Sequence, residues 1–175
     1  MLLQPHPPGF SDHKFTFSIK LKASETTIWS WLNKTETFTE NQLWPYKVEF
    51  YSPDQRKIPE GFNEGILTNH IGPFINFPGR ITSIQNDYRD LQYYYGAYAI
   101  SHRLIRPYRL EFSTREQEAG TTLLYCALKS YVKPGWVKIW GFGCQLFWAS
   151  FKKWSKRSIE KLELTKSKAW SDKAS

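Results

Sequence analysis

The sequence predicts an α+β fold in which a curved sheet carries one long C-terminal helix across its concave face, and three observations support that prediction. From Pro134 to Leu164 a Pro-Gly break is followed by a proline-free run, the pattern of a long helix with Pro in its first turn. At helical spacing Trp136, Trp140, Gly143, Phe147, Phe151, Trp154, Ser158 and Leu162 fall on one stripe, which needs a partner surface. Before Pro134 most of the chain reads as short strands and turns, and these supply that surface.

Taken in order, His13 to Lys22 alternates strictly, with Phe15, Phe17, Ile19 and Leu21 on one face and Lys14, Thr16, Ser18 and Lys20 on the other, which predicts a half-buried strand. Ser24 caps a short helix that has Glu25 in its first turn and Ile28, Trp29, Trp31 and Leu32 packing inward. Thr35 or Thr37 starts a second short helix, which carries Phe38 and ends before Trp44-Pro45. Lys47 to Tyr51 alternates through Val48 and Phe50 as the next strand. A turn at Pro59-Glu60-Gly61 leads to a strand from Gly65 to Ile71, closed by Gly72-Pro73. Phe77 to Gln85 follows, and Gly79 within it marks a bulge or a close backbone approach. Asn86 to Asp90 reads as a polar turn before an aromatic strand, Leu91 to Tyr95, and residues 96–103 give no clear pattern. Tyr108, Leu110, Phe112 and Thr114 share one strand face and Arg109, Glu111, Ser113 and Arg115 the other; a turn from Glu116 to Gly120 leads into Thr121 to Val132. The order is one strand, two short helices, six strands and the long helix.

With 175 residues the chain makes one domain of ordinary size. It divides into a flexible Pro-rich arm at 1–12, a folded domain at 13–165 and a polar tail at 166–175. Net charge is +8, but the segment from Lys152 to Lys168 holds seven Lys and Arg against Glu160 and Glu163, so it supplies five of the eight. That excess is read first as a solvated helix face, ahead of an anionic membrane surface and ahead of nucleic acid, which is disfavoured. Arg109 and Arg115 point away from Tyr108 and Phe112, so no cationic stacking platform forms there. Cys126 and Cys144 lack metal spacing and read as buried thiols in a reducing, cytoplasmic setting, with a disulfide between them as the alternative. The longest apolar run, Ile139 to Phe151, is too short to span a membrane, and the first residues lack a secretory signal pattern.

In its element order, its hairpin from Phe112-Ser113 through Glu118-Ala119-Gly120-Thr121-Thr122 to Leu124-Tyr125, and its closing helix ending Phe151 to Leu162, the chain resembles the START-like (SRPBCC) superfamily over residues 13–165. That superfamily includes pollen-allergen-type lipid carriers and polyketide cyclase/dehydrase-type proteins. The resemblance implies a helix-grip fold: a seven-stranded antiparallel sheet wrapped around the long helix, two short helices after the first strand, and a cavity between sheet and helix. It implies a hydrophobic ligand of the lipid, sterol, polyketide or quinone class. A cyclase or aromatase activity, or a lipid or quinone chaperone that docks on membranes, is the alternative.

The residues themselves ask for such a cavity where Val137, Ile139, Phe142, Leu146 and Trp148 put apolar groups on nearly all sides of the helix, more than one sheet face covers. The surplus lines a pocket, meets a second copy in a homodimer or touches a membrane. The candidate ligand-binding residues are Phe50, His70, Arg80, Tyr93, Tyr95, Tyr108, Phe112, Trp136, Trp140, Gly143, Phe147 and Phe151. Gly143 leaves space within the aromatic stripe, the tyrosines and Ser130 offer hydroxyls, and Arg80 beside Gly79 offers a bidentate anchor for a carboxylate or phosphate. For catalysis the candidates are His70 and Tyr93, against the plainer reading of His70 as a hydrogen-bonded strand histidine. His6, His13, His70 and His102 show no metal-binding spacing, and no cofactor motif is present.

Overall fold

The computed structural model of the protein describes residues 2–40, 44–54, 61–118 and 120–174. Pro59 and Glu60 of one expected turn and Ala119 of another lie outside them. Strand β1 (Ser11–Leu21) is followed by α1 (Glu25–Leu32) and α2 (Thr35–Thr39). Strands β2 (Lys47–Tyr51), β3 (Leu67–Gly72), β4 (Ile75–Ile84), β5 (Tyr88–Tyr93), β6 (Tyr98–Ala99), β7 (Ile105–Glu118) and β8 (Thr121–Val132) come next. A 3-10 turn (Pro134–Trp136) then opens α3 (Val137–Ala174). The sheet runs β1-β8-β7-β5-β4-β3-β2 with every neighbouring pair antiparallel. This is the helix-grip fold, with eight strands among the described residues where seven are expected. The extra one is β6, a two-residue strand bridging β4 and β7. It is flanked by left-handed residues at Gly96 and Ile100, and two residues are too few for alternation to show.

Local chemistry explains the first half. Ser24 accepts a hydrogen bond from the Thr27 N–H and so caps α1. Thr27, Ile28, Trp29, Trp31 and Leu32 of α1 are buried. The Trp31 indole donates to Ser158 Oγ at 2.8 Å, fastening α1 to α3. Around that contact Ile19, Leu21, Ile28, Leu32 and Ile159 are fully buried, so the core is closed along the C-terminal half of α3. The most buried line on α3 runs through Cys144, Trp148, Phe151, Ser155 and Ile159. The expected stripe of Trp140, Phe147, Trp154 and Leu162 flanks it and is half-buried.

Several boundaries differ from expectation. Strand β5 begins at Tyr88, so Arg89 and Asp90 belong to the sheet and are buried, where the sequence reads as a turn. It also ends at Tyr93, and Tyr95 has left the strand. In β7 the register shifts between Pro107 and Arg109. That bulge makes Tyr108 the extra residue and reverses the face it shares with Leu110 and Phe112. Gly79 is a close approach: a Cβ there would lie 2.6 Å from the Gln92 carbonyl oxygen. Near the N-terminus, Leu3 bridges Tyr94 and buried Gln4 donates from Nε2 to the Ala97 carbonyl at 2.9 Å. Helix α3 continues past Leu164 to Ala174.

Candidate functional site

Strand alternation decides which side chains meet α3. In the pairing of β5 with β7, Arg89 lies opposite Phe112 and Leu91 opposite Leu110. In that of β3 with β4, His70 lies opposite Phe77. All six face the helix, where β2, β3, β4, β5 and β7 diverge from the first half of α3 and enclose a cavity of about 420 Å³. Small-molecule sites are typically ~300–1,000 Å³. The mouth is formed by exposed apolar groups, Phe74 (75% exposed) and Phe142 (62%), together with Ile139.

Four sheet candidates, Phe50, His70, Tyr93 and Phe112, line this cavity. From the helix Trp140, Gly143, Phe147 and Phe151 line it too. At Gly143 an added Cβ would meet nothing within 4 Å, so the glycine opens the helix toward the mouth. Four other candidates do not line it. Arg80 points to the outer face and is exposed, as alternation with inward Gly79 and Ile81 requires. Tyr95, past the end of β5, is 58% exposed and packs edge-on against His102. Turned outward by the bulge, Tyr108 stacks on Tyr131 at 4.3 Å between ring centroids. Trp136 sits in the 3-10 turn before α3, half-buried against the core. Ser130 is fully buried and accepts a hydrogen bond from the Trp140 indole at 3.2 Å.

The sequence reading missed Arg89, the buried cation of the site. Its Nη1 donates to the Leu32 carbonyl at 2.5 Å. Its guanidinium carbon lies 4.6 Å from the ring centroid of Phe62, 5.1 Å from that of Phe112 and 5.7 Å from that of Phe38. The signal that hid it is the polar run Asn86 to Asp90, which matches a turn better than a strand. The alternation of Arg89 with Leu91 and Tyr93 was the available clue.

Burial sets the protonation of this corner. Desolvation holds the Arg89 pKa down to about 10, which leaves it a cation at neutral pH. His70 is pushed down to about 4, first by burial and then by the charge of Arg89, and is a neutral imidazole. Its ring meets Tyr93 edge-on at 5.7 Å, and burial raises the Tyr93 phenol so that it stays protonated. The Cys126 and Cys144 thiols are also raised by burial, and both are free. Beside the Arg89 cation the wall therefore presents a neutral imidazole and a neutral phenol, and the other fixed charge among the described lining residues, Lys47, is paired with Glu49. Such a set has the chemistry to hold and orient a guest rather than to exchange protons with it. As a general base at neutral pH, His70 lies well below the optimum near the working pH. Among the described residues no group of His, Cys, Asp and Glu comes together in a way that would hold a metal ion.

No known family's sequence pattern matches the chain, and no curated protein matches it in sequence. Solved structures do match in fold. Norcoclaurine synthase from Thalictrum flavum, in complex with dopamine and hydroxybenzaldehyde, superposes with a TM-score of 0.61 at 17% identity, covering 94% of this chain and 96% of that one. The Aha1 dimer from Colwellia psychrerythraea gives a TM-score of 0.56 at 14% identity, covering 85% and 96%. A Chromobacterium violaceum protein gives 0.56 at 10% identity, covering 84% and 96%. At these identities the likeness shows the fold, the one the START-like resemblance implies. Among the described residues no helix is long and apolar enough to cross a membrane.

Proposed function

We propose that the protein binds one hydrophobic small molecule, of the lipid, sterol, polyketide or quinone class, in the cavity between the sheet and the first half of α3. The observation that supports this most is the cavity itself: about 420 Å³, walled mainly by aromatic and aliphatic side chains and open to the outside between Phe74 and Phe142. An apolar surface of that size stays in water at a cost, and a ligand removes it. The complex of the similarly folded Thalictrum synthase with dopamine and hydroxybenzaldehyde supports the reading, since the same architecture there holds small aromatic molecules. Holding is favoured over turnover because His70 and Tyr93, the candidates for a cyclase-type activity, are both neutral and desolvated. Titration with the neutral fluorophore N-phenyl-1-naphthylamine tests the proposal. Saturable uptake of one equivalent is expected, and non-saturating partition would count against a built site.

A second reading, docking on membranes during transfer, is favoured by one observation. Phe74, Ile139, Phe142 and Leu146 are exposed together near the mouth. Co-sedimentation with anionic vesicles that is lost in a Phe74→Ser/Phe142→Ser variant would support it. Equal sedimentation of both forms would remove it, and a concentration-dependent rise in mass without vesicles would point to a homodimer.

A further inference from the structure

We infer that the cavity takes an amphipathic acid, with its apolar body among the aromatic rings and one carboxylate paired to the guanidinium of Arg89. This rests on the binding reading above and names the ligand class within it. Arg89 is 5% exposed, and its side chain borders the cavity. Of the described residues lining the cavity only Arg89 and Lys47 carry a fixed charge, and Lys47 pairs with Glu49. No carboxylate pairs with Arg89 among the described residues.

The acid beside it in sequence, Asp90, faces the other side of the sheet. There it accepts from Arg109 Nε at 2.7 Å, Thr82 Oγ1 at 2.7 Å and Gln92 Nε2 at 3.0 Å. Nor does Cys126 supply a counter-charge, since its thiol stays protonated. A guanidinium offers five N–H donors in a planar fork. The Leu32 carbonyl accepts from one of them, and the rings of Phe38, Phe62 and Phe112 offer their faces. A buried cation without an anion is a costly arrangement, and a carboxylate is the group whose geometry matches the fork. His70 and Tyr93, uncharged on the same wall, leave Arg89 the one group that separates an acid from its neutral isostere.

The test is calorimetric titration of an isosteric pair, 2-naphthaleneacetate and 2-naphthaleneacetamide, into the wild type, Arg89→Met and Arg89→Lys. The wild type should bind the acetate roughly tenfold or more tightly than the amide, the scale of a charge-assisted bond. Arg89→Met should abolish that preference and leave amide affinity within about threefold, while Arg89→Lys should retain part of it. Equal wild-type affinities, or a preference that survives in Arg89→Met, would overturn the inference while leaving the cavity in place. Failure of both probes and of N-phenyl-1-naphthylamine to bind would instead overturn the binding reading beneath it. Should Arg89→Met not fold, the NMR signal of the wild-type Arg89 Nε–H decides. A shift with the acetate and none with the amide supports the pairing, and no shift with either overturns it.

Discussion

Arg89 and Asp90 are consecutive residues of one strand, and they place opposite charges on opposite faces of the sheet. The Asp90 carboxylate is bonded on the outer face to Arg109 Nε at 2.7 Å, and the Arg89 guanidinium lies among three aromatic rings on the helix side. Outside, charges are matched: Arg109 also reaches Glu111 at 3.4 Å, and Lys129 reaches Glu111 at 2.7 Å. Inside, no carboxylate of the described residues pairs with Arg89, the gap that the inferred acid would fill.

The outer network should govern acid stability. Burial alone would raise the Asp90 pKa, but the hydrogen bonds from Arg109, Thr82 and Gln92 outweigh it and hold the group below its usual 3.8. Its stabilisation is therefore full above that value and is lost as pH falls through the lower, folded value. Asp90→Asn should cost on the order of 1–3 kcal/mol at neutral pH, by denaturant unfolding, and the difference from wild type should shrink toward pH 2. A constant difference across that range would contradict the assignment.

His70 acts in a different window. Its folded pKa of about 4 lies below the usual 6.5, so the unfolded chain binds the proton first and stability drains as pH falls from 6.5 toward 4. The loss attributable to this one group is at most about 3 kcal/mol. Burial also lowers His13 and His102, so the contribution of His70 is read as the difference between wild type and His70→Phe. The variant should show a shallower fall over this window, and an identical slope would remove His70 from the account.

Gly143→Trp should plug the mouth without unfolding the chain, because the added side chain starts into open space. Uptake of N-phenyl-1-naphthylamine should weaken by about tenfold or more, with the thermal midpoint within a few degrees, roughly, of wild type. Undiminished uptake would place the bound molecule elsewhere.

Trp31→Phe tests the closed end. It removes the 2.8 Å bond to Ser158 but keeps a ring against Trp154 and Phe151. A cost of about 0.5–1.5 kcal/mol is expected for the lost hydrogen bond to the half-buried serine, with ligand uptake unchanged. Equal loss of uptake would mean that the two ends of α3 are not independent.

Much of this architecture is legible in the residues. Strict alternation marked β1, Ser24 marked the start of α1, and a proline-free aromatic run marked α3. The cavity wall was legible where period and register coincide, as at Phe50, His70, Tyr93 and Phe112. It was not legible where backbone irregularity shifts the phase. One bulged residue in β7 sends Tyr108 outward, and the end of β5 leaves Tyr95 outside. Arg89 was hidden for another reason, since a buried cation between polar neighbours carries the signature of a turn. A search for anchoring charge from sequence settles on Arg80, which the pleat points the other way.

Whether a hydrophobic molecule sits between the sheet and α3, as proposed, is read from its position when bound. Intermolecular NOEs from bound N-phenyl-1-naphthylamine to methyl groups should appear at Ile81, Leu91, Leu110 and Leu128, which line the cavity. NOEs confined to Leu2, Leu146 and Leu164, whose side chains are exposed, would contradict it.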